Sequence, residues 1–89
     1  MTMPLDKFPG WWDWELDFSS ELPDRMRERW FNEADLRQML HDATEWSPDL
    51  EEGRFVVRSR WEGRNWEIIV EPDPEDRRLV IITAFRIRY

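Results

Sequence analysis

Arg54-Phe-Val-Val-Arg-Ser-Arg-Trp-Glu-Gly-Arg-Asn-Trp-Glu-Ile-Ile-Val-Glu71 reads as two strands folded about a two-residue turn. Glu62-Gly63 separates the period-two runs Arg54–Trp61 and Arg64–Glu71, and Gly63 supplies a positive φ. A turn at this point dictates a register. Phe55 faces Val70, Val57 faces Ile68 and Ser59 faces Trp66 on one side; Arg54 meets Glu71, Val56 meets Ile69 and Arg58 meets Glu67 on the other. Cross-strand pairs of this kind contribute roughly 0.2–1 kcal/mol each.

Downstream, Pro72-Asp73-Pro74-Glu75-Asp76 reads as a loop and Leu79–Ile87 as a final β-branched strand. Upstream, Trp12-Asp13-Trp14-Glu15-Leu16-Asp17-Phe18 alternates without a break, as a half-buried strand does. Ser19 or Ser20 then offers an N-cap for a helix over 21–29, where Leu22, Met26 and Trp30 stand four apart as its buried stripe. Asn32 with Asp35 forms a capping box, and Phe31 and Leu36 occupy the staple positions. Leu36, Met39, Leu40 and Ala43 then give the apolar face of a second helix ending before Ser47-Pro48.

The predicted order is β-α-α-β-β-β. Helices followed by strands imply an α+β fold, an antiparallel sheet with two helices packed on one face. The reverse face would carry Val56, Ile69, Val80 and Ile82, more apolar than solvent requires.

Eighty-nine residues suit a single domain over 1–89, with residues 1–11 expected as a loosely ordered N-terminal segment. The absence of cysteine excludes disulfides and thiolate chemistry. No signal peptide or membrane-spanning run is read, and a cytoplasmic protein is expected. Net charge is −7, and it is uneven: residues 1–52 carry 5 basic and 14 acidic groups, residues 53–89 carry 8 and 6. An acidic total disfavours nonspecific nucleic-acid binding, which needs a positive field.

Two groups of residues carry the functional reading. Arg25, Arg27 and Arg29 alternate; on a helix Arg25 and Arg29 share a face and could clamp a phosphate, while Arg27 points away. The plainer role is helix bracing, through Glu21 with Arg25 and Asp24 with Arg27. Seven tryptophans form the other group. Trp14, Trp30 and Trp66 fit core faces, whereas Trp11, Trp12, Trp46 and Trp61 fall at element edges and are candidates for partner binding. Asp73, Glu75 and Asp76 lack calcium-loop spacing, and the sequence holds no phosphate-binding glycine loop and no H-E-x-x-H. Neither a cofactor nor a metal is expected.

The pattern Glu21-x-x-x-Arg25-Met26-x-x-Arg29, the Leu36-Met39-Leu40 helix and the ending Val80-Ile81-Ile82-Thr83-Ala84-Phe85 resemble a domain-of-unknown-function family of short bacterial proteins grouped with RelE-like and BrnT-like ribonuclease toxins. The resemblance spans roughly residues 14–86. It implies a RelE- or barnase-like fold of toxin–antitoxin type, with Arg25, Arg29 and Thr83 lining the site. Many members carry histidine where this chain has Glu21, which leaves Glu21 as the base. The lone histidine, His41, reads as a helix-surface residue. The expectation is a RelE-like domain that is weakly active or inactive as a ribonuclease and acts through a protein partner or homodimer. The alternative is an active, metal-independent endoribonuclease toxin that cleaves RNA.

Overall fold

The computed structural model describes residues 3, 4 and 9–87. Eight elements follow in order: β1 (Met3–Pro4), β2 (Glu15–Phe18), α1 (Leu22–Arg29), α2 (Glu33–His41), β3 (Ala43–Pro48), β4 (Phe55–Trp61), β5 (Arg64–Asp73) and β6 (Arg78–Arg86). The strands form one sheet in the order β1-β3-β4-β5-β6-β2. This is a small α+β domain.

The β4–β5 hairpin has the register dictated by its turn: Phe55 opposes Val70, Val57 opposes Ile68 and Ser59 opposes Trp66. Arg58 and Glu67 stand opposite each other and are joined at 3.2 Å, while Arg54 reaches Glu71 at 3.1 Å. Both central turn residues have positive φ, Glu62 at 51° and Gly63 at 74°. A type I′ turn requires this at both positions, because its twist then matches that of the strands.

Four features differ from the sequence reading. First, residues 43–48 form a strand rather than a helix end and loop. Ala43 continues the helical stripe of Leu36, Met39 and Leu40, but α2 stops at His41 and Ala43 is buried opposite Ser59. The Ser59 hydroxyl donates to the Met39 carbonyl at 2.6 Å, tying the last turn of α2 to the sheet.

Second, the sheet is mixed. β2 pairs with β6 in parallel, Leu16 beside Leu79 and Phe18 beside Ile81, where an antiparallel sheet was expected. Parallel partners are chosen by tertiary packing, which local pattern does not encode.

Third, β2 is short. Backbone N–H groups of Trp12 and Trp14 bond to the Pro9 and Trp11 carbonyls, so residues 9–14 form turns. The expected burial alternation persists: Trp12, Trp14, Leu16 and Phe18 are half-buried, and Asp13, Glu15 and Asp17 are exposed. Of the N-terminal segment 1–11, residues 1, 2 and 5–8 lie outside the described residues.

Fourth, Trp30 is not core. It is 90% exposed, and its backbone is left-handed, φ 62° and ψ 44°. Phe31 takes the buried place, and its N–H bonds to the Met26 carbonyl at 3.1 Å in a Schellman-type ending. The capping box at Asn32 and Asp35 forms as read, with hydrogen bonds of 2.9 and 3.0 Å. It starts α2 directly after the turn, so α1 could not have been extended to bury Trp30.

The core lies between the helices and one sheet face. Leu22, Leu36 and Met39 from the helices meet Val57, Ile68, Val70, Leu79 and Ile81 from the sheet, all fully enclosed. On the reverse face Val56 is buried, and Ile69, Val80 and Ile82 are half-buried. Ion pairs border this face: Arg54 with Glu51 and Glu71, and Arg58 with Glu45 and Glu67. No helix among the described residues is long and apolar enough to cross a membrane.

Candidate functional site

β2 stops short of the end of β6. Its last pair is Phe18 with Ile81, where the ladder of β6 against β5 also shifts by one residue between Ile69 and Val70. Edge carbonyls of β6 beyond that point are satisfied by other groups. The Ser19 N–H donates to the Ile81 carbonyl at 3.0 Å, and the Ser19 hydroxyl to the Ile82 carbonyl at 2.8 Å. Ser19 therefore secures the sheet edge, and Glu21, without a side-chain cap bond, begins α1.

Arg29 completes the edge. Its Nη1 donates to the Ala84 carbonyl at 2.8 Å and to Thr83 Oγ1 at 3.1 Å. Of the four residues expected to line a catalytic site, these two are joined. Arg25 instead pairs with Glu28 at 3.1 Å, not with Glu21, and Arg27 pairs with Asp24. Glu21 precedes the first turn of α1 while Arg29 ends its last, about 12 Å away along the axis. The carboxylate is exposed and has no hydrogen-bond partner among the described residues. Arg25 and Arg29 are thus engaged with different partners, and Glu21 lies at the far end of the helix.

The expected partner-binding tryptophans are half-buried and packed on other rings. Trp11 lies 5.8 Å from Trp46 and 5.2 Å from Phe55; Trp12 lies 6.0 Å from Trp11. Trp61 meets Trp66 edge-on at 5.7 Å. Trp30 is the only fully exposed tryptophan among the seven, all of which are described. It was missed because its i, i+4, i+8 spacing from Leu22 and Met26 assumes a helix that continues past Arg29.

Trp30 borders a cleft of about 570 Å³ lined by Glu28, Arg29, Trp30, Trp66, Phe85 and Arg86. Trp66 belongs to the core at 5% exposure, yet its indole N–H is buried without a hydrogen-bond partner among the described residues. Such an orphan donor ordinarily costs about 1–3 kcal/mol. His41 lies elsewhere, in a groove with Trp12, Asp13, Trp14 and Arg37; its side chain is 80% exposed and contacts Asp42 at 3.1 Å.

The family model described as a domain of unknown function (DUF4258) matches residues 18–86. The chain belongs to this family. No curated protein and no solved structure matches it. The DUF4258 match runs from the end of β2 to the end of β6, so it includes Arg29, Thr83 and the whole Trp30 cleft. Trp11, Trp12 and Trp14 precede it.

Proposed function

We propose that this DUF4258 domain is a binding module that engages a protein partner through the cleft around Trp30 and does not depend on catalysis. The carrying observation is Trp30 itself, a 90%-exposed indole held in left-handed backbone. Water contact with a large apolar side chain and a bulky residue at positive φ are both unfavourable. Residues that combine such costs cluster at ligand clamps and interfaces, where tryptophan supplies a large share of binding energy.

The RelE-like ribonuclease remains the second reading, supported by the resemblance and by the Arg29–Thr83 contact. Two features oppose it. Glu21 stands in place of a histidine, and its exposed carboxylate makes no hydrogen bond to Arg25, Arg29 or Thr83.

Two measurements decide between these readings. Purified protein incubated with RNA should leave it intact, and cleavage that disappears in Arg25→Ala but persists in Arg27→Ala would restore the ribonuclease. A photo-crosslinking aromatic amino acid at position 30, in the chain expressed in its source organism, should yield one defined protein adduct. The same group at position 74, on the exposed turn after β5, should yield none.

A further inference from the structure

We infer that the Trp30 cleft takes an acidic peptide segment, seating a carboxylate on Arg29 and a flat apolar side chain against Trp30. This rests on the partner-binding reading above and gives the partner its chemistry. The lining is rich in donors and aromatic surface: Arg29, Arg86, Trp30, Trp66 and Phe85, with Glu28 as its one acid.

Arg29 is held for this role. Its Nη1 is fixed on Thr83 and Ala84, and the Nε and Nη2 donors make no hydrogen bond among the described residues. A guanidinium already immobilised loses little further freedom when it meets a carboxylate, whose two oxygens match its fork. Trp66, whose buried indole N–H has no hydrogen-bond partner among the described residues, belongs to the same lining. Trp30 adds an exposed ring beside them.

Charge selects a peptide over a nucleic-acid strand. The chain carries −7 overall, so it has no extended positive field for a polyanion. Glu28 adds a carboxylate to the lining, which repels a run of phosphates. A single carboxylate, attached to an otherwise apolar segment, fits Arg29 without needing that field.

The test uses the full-length chain, ¹⁵N-labelled, with the indole N–H resonances of Trp30 and Trp66 as readouts. Probes are the capped tetrapeptide acetyl-Asp-Phe-Glu-Leu-amide, its neutral counterpart acetyl-Asn-Phe-Gln-Leu-amide, and single-stranded hexauridylate. The acidic peptide should shift both resonances saturably, with the neutral one binding about tenfold more weakly. Trp30→Ala, which removes an exposed side chain and leaves the core alone, should weaken the acidic peptide about five- to tenfold. Equal binding of the two peptides, no saturable shift, or shifts with hexauridylate alone would overturn the inference. Equal binding with a position-30 adduct still formed removes only the acidic chemistry; RNA cleavage removes the partner-binding reading beneath it.

Discussion

Arg29 and Thr83, 54 residues apart in the chain, are joined by a 3.1 Å hydrogen bond from Nη1 to Oγ1. The same nitrogen holds the Ala84 carbonyl at 2.8 Å. A side chain at the end of α1 thus does for the last part of β6 what a neighbouring strand would do. Edges left open invite pairing with other chains, and covering them is a general solution.

The first prediction follows from that arrangement. Arg29→Ala strips two partly buried acceptors of a charged donor and should lower stability by about 1–3 kcal/mol in urea unfolding. Thr83→Val removes only one acceptor and should cost about 0.5–1.5 kcal/mol. Arg25→Ala and Arg27→Ala, which break exposed intrahelical pairs, should each change stability by under about 1 kcal/mol. If all three arginines behave alike, the edge-bracing role of Arg29 is wrong.

The hairpin turn offers a gain in stability. Glu62 sits at φ 51° in a turn whose first position favours asparagine or glycine. Glu62→Asn should stabilise the fold by about 0.5–1 kcal/mol, since asparagine tolerates left-handed backbone. Gly63→Ala, at φ 74°, should do the reverse by about 1 kcal/mol or more, although a Cβ there meets no neighbouring atom. Paired thermal melts of the two variants would show the opposite signs.

How much of this was legible in the chain depends on whether the signal was local. Glu62-Gly63 set the register of β4 against β5, because a two-residue turn leaves the flanking residues no choice of partner. Asn32 and Asp35 set the start of α2 in the same way. β3 was hidden because Ala43 is small and buried, which suits a helix stripe and a strand interior equally. The parallel seating of β2 beside β6 depends on where two helices lie, and residues 12–18 carry no mark of it. At the site, the resemblance named Arg25, Arg29 and Thr83 as lining residues, but the bond that joins Arg29 to Thr83 across 54 residues has no local signal in the chain. The cleft was not legible either, since the left-handed turn that exposes Trp30 falls on a residue type that rarely adopts it.

A pH effect is expected where α2 ends. Hydrogen bonds from Gln38, and then from His41, hold the Asp42 carboxyl below its ordinary value. A depressed folded pKa means that the ionised form is favoured by folding. Its contribution is present above the unfolded pKa and is lost as pH falls through the folded one. Gln38→Ala removes the larger cause, so the Asp42 midpoint should rise toward the ordinary aspartate range in a carboxyl-carbon NMR titration. An unchanged midpoint would mean that the 2.9 Å contact from Gln38 does not persist in solution.

Trp30 supplies the sharpest prediction, because stability and binding should move in opposite directions. The position ends α1 in left-handed backbone, where glycine is the usual occupant and any residue with a Cβ is strained. Trp30→Gly should therefore stabilise the fold by about 1 kcal/mol while weakening capture at the cleft about five- to tenfold. Trp30→Ala removes the same indole but retains the Cβ, so it should lose binding without the full gain in stability. The difference between the two variants isolates backbone strain from exposure of the ring. A destabilised Trp30→Gly would show that the indole packs on the domain in solution, and the binding role assigned to its exposure would fall with it.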